Sequence, residues 1–242
     1  MRPIDLRRQP WEFVIVQLLI QVLTRSWGQG MYLFSRRGRL DGGNTNDALA
    51  WATGITTKVN EITDLQVGLW MQTYSPGFGT LVWSTFVADL ASLEAGGDKL
   101  ASDPGYVAMA DEGAKYISGG LDDGLVQILH GVPDPTRTIE YASGVQAVCA
   151  SGNIANAMAV GVEIAQKAEA VTGLPTLFGA SVTGPYGGVG WITGYENIGA
   201  MEAAQAALGA DPNWVDMIDK KAAGAYAEEP SLTTQLIYRR IV

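Results

Sequence analysis

Histidine and cysteine are each present once in 242 residues, as His130 and Cys149. A lone cysteine has no partner for an internal disulfide, which fits a reducing, cytoplasmic setting. One residue of each kind also excludes a structural zinc or His-rich metal site, which draws on three or four such ligands, so no metal is expected. Basic residues are sparse too: 16 Lys and Arg stand against 25 Asp and Glu, a net charge of -9. Nucleic acid and anionic membrane are thereby excluded as main partners, because phosphate binding needs concentrated cations. What is present is ample apolar material, 47% of residues against 17% charged, enough for a globular core.

The first thirty residues do not share the pattern of the rest. Trp11 to Leu23 is strongly apolar, with Gln17 and Gln21 on one helical stripe, and reads as an amphipathic helix. It is shorter than the roughly 20 apolar residues of a membrane span. Arg2, Arg7 and Arg8 precede it as in a signal peptide, but no small-residue cleavage site follows. Residues 1–30 are therefore expected to be either a helix docking on a partner or membrane surface, or a non-native extension. In the latter case Met31 is the start, and membrane contact is expected only if the extension is native.

From there the chain repeats itself. "GGNTNDALAWATGITTKVNEITDLQVG" at 42–68 matches "SGNIANAMAVGVEIAQKAEAVTGLPTL" at 151–177, placing Lys58 on Lys167, Thr63 on Thr172 and Leu65 on Leu174. Past the glycine-rich turns the offset shortens by one residue, and Trp83 lies on Trp191 and Asp103-Pro104 on Asp211-Pro212. A length change in a turn is the least costly kind. Each copy reads as a strand (Tyr32–Leu40; Val145–Ala150) and a helix with apolar residues at helical spacing. Two strands follow around a Pro/Gly turn (67–74 with 81–87; 177–183 with 189–195), then a helical region and a closing strand (125–130; 234–241). That order is βαββαβ, the ferredoxin-like split unit. The expected units are 31–131 and 132–242, with "HGVPDPTRT" at 130–138 as the linker. Asp103 and Asp211 suit helix N-caps, and Pro104 and Pro212 suit the first helical position. Tyr106 with Trp214, Val107 with Val215 and Met109 with Met217 would then face the sheet.

With its two βαββαβ copies and the "SDPGYVAM" and "ADPNWVDM" helix openings, the chain resembles the dimeric α/β-barrel superfamily. That group holds the antibiotic-biosynthesis-type monooxygenases, the NIPSNAP-like and EthD-like proteins and the chlorite-dismutase-like haem proteins. The resemblance covers residues 31–242. It implies an α+β fold in which two tandem ferredoxin-like units form an intrachain α/β barrel, with a ligand held between their sheets. It leaves open a further association into a homo-oligomer.

Haem ligation as in some members would rest on His130, which ends a strand beside the linker instead of lying on a helix, so a hydrogen-bonded strand-end histidine is expected. No base stands beside Cys149, which reads as a small buried hydrophobe. "SPGFGT" and "GPYGGVG" lie between two strands and are hairpin turns, not phosphate loops. No cofactor is expected and no catalytic residue is assigned.

The aromatic strand residues are the candidate binding set. Trp70, Gln72 and Tyr74 share one strand face; Trp83 and Thr85 share another, matched by Trp191, Thr193 and Tyr195. These mixed aromatic and polar faces are expected to look into the barrel, where polar atoms orient a ligand. The competing reading is that the tryptophans fill the core, which the recurrence of Trp83 as Trp191 favours. Arg36 and Arg37 must point to opposite faces, and Arg37 is the candidate for an inward cation selecting a carboxylate or enolate; the default is a solvated strand end. Two functions follow. One is a barrel that holds an apolar or aromatic small molecule without transforming it. The alternative, by family analogy, is a cofactor-independent monooxygenase or isomerase acting on an aromatic or polyketide-like substrate.

Overall fold

The computed structural model describes residues 30–43 and 45–242, and the expectations placed on residues 1–29 lie outside the described residues. In chain order the first run comprises β1 (Tyr32–Leu40), α1 (Thr45–Ile62), β2 (Gly68–Thr73), β3 (Thr80–Val87), α2 (Leu90–Ala101), α3 (Pro104–Glu112) and β4 (Ile117–His130). The second comprises β5 (Tyr141–Val148), α4 (Ile154–Thr172), β6 (Thr176–Ser181), β7 (Gly188–Tyr195), α5 (Ile198–Ala210), α6 (Pro212–Asp216) and β8 (Thr234–Arg240). All eight strands pair antiparallel into one closed barrel, in the order β1-β3-β2-β8-β5-β7-β6-β4. The seams between the two runs are β2 with β8 and β4 with β6. Counterpart strands lie four places apart in an alternating ring, so they point the same way. The β2–β3 and β6–β7 hairpins therefore sit at the same end of the barrel.

The repetition extends to individual bonds. Asp103 accepts from the Tyr106 N–H and Asp211 from the Trp214 N–H, each at 2.7 Å and each followed by proline at the first helical position. Those bonds hold both carboxyl groups below their ordinary pKa. Lys58 pairs with Asp103 at 3.4 Å and Lys167 with Asp211 at 3.1 Å. Thr63 and Thr172 each donate back into the preceding helix turn and accept the N–H of Leu65 or Leu174.

α1 and α4 bury several small residues against the sheet: Ala48 and Ala52 in one, Ala157, Gly161, Ala165 and Ala168 in the other. Small side chains let a helix lie close enough for large ones from the strands to interdigitate. A Cβ on Gly161 would collide with the Phe178 ring, which is fully buried. Among the described residues no helix is long and apolar enough to cross a membrane.

The helix openings differ from expectation at one pair of positions. Tyr106, Met109, Trp214 and Met217 pack on the core, whereas Val107 and Val215 are exposed. Residues three apart share a helix face, and the valines fall one position off it. β4 also begins eight residues earlier than its sequence suggests. "ISGGLDDG" has the composition of a turn, but β1 supplies its ladder, pairing Leu40 with Ile117 and Arg36 with Asp123.

Candidate functional site

Strand alternation divides every strand into an outer face under the helices and an inner face lining the barrel. Inside is a cavity of about 430 Å³. Its apolar wall includes Leu33, Trp70, Val82, Phe86, Ile128 and Ile192, and its polar atoms come from Ser35, Arg37, Ser84, Asp122, Gln146 and Tyr238. The cavity extends to the β6–β7 hairpin, where Thr183, Gly184 and Pro185 border it, and to Ser231 and Leu232 before β8. At the opposite end the connection between β4 and β5 folds across the barrel. Ile139 packs against Gly194, where a Cβ would meet it at 3.0 Å, and the Glu140 N–H donates to the Tyr195 carbonyl at 2.9 Å.

The expected binding set divides between the two faces. Arg37, Trp70 and Trp191 border the cavity. Trp83, Thr85, Trp191, Thr193 and Tyr195 belong to the outer face, which corrects the expectation that this face looks inward. The Trp83 indole N–H donates to Thr56 Oγ1 on α1 at 2.9 Å, and Thr85 Oγ1 donates to the Leu65 carbonyl after that helix. The Trp191 indole N–H donates to the Gly161 carbonyl of α4 at 2.9 Å, so Trp191 meets the cavity only along its strand. Thr193 shares a 3.0 Å hydrogen bond with Thr176, and Tyr195 one of 2.9 Å with Ser143 beside Met201 of α5. A tryptophan has one N–H to satisfy when buried, and the helices offer the acceptor. Gln72 is buried with its amide donating to the Pro76 carbonyl, and so staples the β2–β3 hairpin; Tyr74 in that hairpin is 75% exposed.

The two neighbouring arginines part as alternation requires. Arg36 makes a two-pronged contact with Asp123, both distances 2.7 Å, on the outer face. That hydrogen bonding raises its pKa. Arg37 faces inward, opposite Asp122 on β4. Tyr238, which no motif or repeat marks, stands on the same interior. Burial pushes its phenol pKa up while the nearby Arg37 charge pulls it down.

His130 Nε2 lies 3.2 Å from Glu169 Oε2, and the other Glu169 oxygen accepts the Thr176 N–H at 3.0 Å. The histidine is thus tied to the start of β6. Cys149 is buried, and burial raises its thiol pKa, which opposes formation of a nucleophilic thiolate. Among the described residues no group of three His, Cys, Asp or Glu could hold a metal ion.

No protein-family model matches the chain, and no curated protein matches its sequence. Solved structures do match. One is a proposed monooxygenase from Fusobacterium nucleatum subsp. nucleatum, with TM-score 0.66 and 8% identity over 88% of this chain and 94% of the other. The chain has the dimeric α/β-barrel fold. A second proposed monooxygenase, from Lactobacillus acidophilus, aligns with TM-score 0.61 and 7% identity over 88% and 94% of the two chains. An anthrone oxidase-like protein aligns with TM-score 0.61 and 8% identity over 90% and 93%. At such identities the likeness is one of fold.

Proposed function

We propose that this α/β barrel binds an apolar or aromatic small molecule in the space its eight strands enclose. The observation that carries the reading is the interior cavity of about 430 Å³, walled by aliphatic and aromatic side chains with a few polar groups. Ligand sites combine apolar lining with sparse orienting polar atoms in this way, and a volume of a few hundred Å³ suits a small organic molecule. Native mass spectrometry of the purified chain is expected to show a retained small molecule, released on denaturation. A chain that carries none and takes up no aromatic probe in equilibrium binding would sink the proposal.

A second reading, a cofactor-independent monooxygenase or isomerase for an aromatic or polyketide-like substrate, draws support from Asp122 opposite Arg37. A carboxylate there could take a proton from the substrate, and the guanidinium and the Tyr238 phenol could hold the resulting enolate oxygen. The proposed monooxygenases and the anthrone oxidase-like protein share its fold. Oxygen uptake with anthrone that is abolished in both Asp122→Asn and Tyr238→Phe would favour this reading over simple binding.

A further inference from the structure

The two halves share buried tryptophans on their outer faces and differ at several inner-face positions. Outside, Trp83 and Trp191 are counterparts, as are Leu81 and Val189, all buried. Inside, Val82 of β3 has Gly190 as its counterpart, Trp70 of β2 has Gly179, and Ser35 of β1 has Gly144. These three changes run from a side chain in the first half to bare backbone in the second, while Gly68 against Leu177 runs the other way.

One of these glycines, Gly144, is not accounted for by packing. A Cβ on Gly144 would make ordinary contact with one atom, Tyr238 Cε2 at 3.4 Å. On Gly190 it would press on the Val145 backbone carbonyl at 3.3 Å, tighter than ordinary contact, with only Gln146 at 4.0 Å otherwise near, so this glycine is explained in part by the neighbouring backbone. Gly179 is different, since a Cβ there would strike Val126 and the Gln127 carbonyl. Glycine inside a strand gives up side-chain packing, and where no protein group fills the space it marks the close approach of something else. Gly190 pairs with Gln146 and Gly144 with Ile192 on adjacent strands, so the two glycines are diagonal neighbours on one patch of β5 and β7. Tyr238 borders that patch, and Tyr238 and Arg37 both line the cavity.

We propose that the barrel holds one ligand per chain, against the Gly144–Gly190 patch of its second half, and that the patch suits a planar ring system carrying an anionic oxygen held by Arg37 and Tyr238. The inference rests on the binding reading above and deepens it. A flat backbone surface maximises contact with a flat ring and offers nothing extra to a bulky, non-planar one. A guanidinium and a neutral phenol give charged and neutral donors to the same oxygen. The counterpart place in the first half carries the side chains of Ser35 and Val82, with Trp70 paired to Val82.

The test uses the full chain with 9-anthracenecarboxylate as probe and 9-methylanthracene as its uncharged analogue, followed by fluorescence and calorimetry. One equivalent of the carboxylate is expected to bind. Gly144→Leu should weaken both probes by at least about tenfold, roughly 1.4 kcal/mol. Arg37→Gln should weaken the carboxylate alone. Because Gly144→Leu could disturb folding, Gly144→Ala serves as the second variant, with a smaller loss and unchanged circular dichroism. Binding of two equivalents, or affinity unaffected by Gly144→Ala and Gly144→Leu, overturns this inference while leaving the binding reading intact. No uptake of either probe by the unmodified chain overturns the binding reading itself.

Discussion

Trp83 and Trp191 occupy counterpart places and do similar work, each anchoring a strand to the helix above it through its indole N–H. Their recurrence was legible in the sequence and pointed to packing. A residue retained in both copies answers a demand that both copies share, and the shared demand is helix-on-sheet contact. The inner-face residues, Arg37, Gly144, Gly190 and Tyr238, have no such repetition to draw the eye. The sequence signal for them is divergence at an aligned position, Val82 against Gly190, beside retention of tryptophan one residue away. Tyr238 also makes a pH prediction. Burial raises its pKa and that of Tyr226, whose hydroxyl donates to the Ala157 carbonyl at 2.8 Å. The folded chain thus keeps protons that the unfolded chain releases near pH 10. The resulting stability is fully present below that pH and is lost as pH rises toward the folded-state values, by up to about 1.4 kcal/mol per pH unit for each tyrosine. Urea unfolding between pH 9 and 11 should show this slope, and Tyr226→Phe with Tyr238→Phe should flatten it.

Elements were read well where a side-chain period or a cap marks them. β1, α1 and the starts of α3 and α6 fall close to the residues expected, because helix periodicity and the Asp-Pro pair are local signals. The first eight residues of β4 are not legible in the sequence because their strand character comes from the neighbouring β1, which no local pattern records. Hairpins carry a separate cost. Tyr74 has φ 49°, a left-handed conformation unfavourable for a residue with a Cβ, and its side chain is mostly exposed. Tyr74→Gly should remove that strain with little lost packing. A gain of a few tenths to about 1 kcal/mol is expected, after the added flexibility of glycine in the unfolded chain is subtracted. Chemical denaturation would measure it, and a loss of stability would show that the tyrosine makes a compensating contact.

At the scale of the whole molecule, the connection between β4 and β5 makes barrel closure an event within one chain. Its ten residues, 131–140, also cover one end, with Arg137 reaching the Gly194 carbonyl at 3.4 Å and the Arg240 N–H donating to the Glu140 carbonyl at 2.8 Å. Cutting the backbone between Pro135 and Thr136 should leave the pairings in place while turning closure into the meeting of two fragments. The melting temperature of the cut protein is then expected to rise with its concentration, whereas the intact chain's should change far less. Equal concentration dependence before and after cutting would show that association, not closure, limits stability.

The closed ring has a consequence for how copies of this protein can meet. A sheet with a first and a last strand offers open ladders to any extended segment nearby, including one from an identical neighbour. Here all eight strands are paired on both sides. Strand exchange and open-ended stacking through this sheet would require breaking a pairing that already exists. Among the described residues, larger assemblies have side-chain surfaces to work with: the outer faces of the helices and the rims at the two barrel ends.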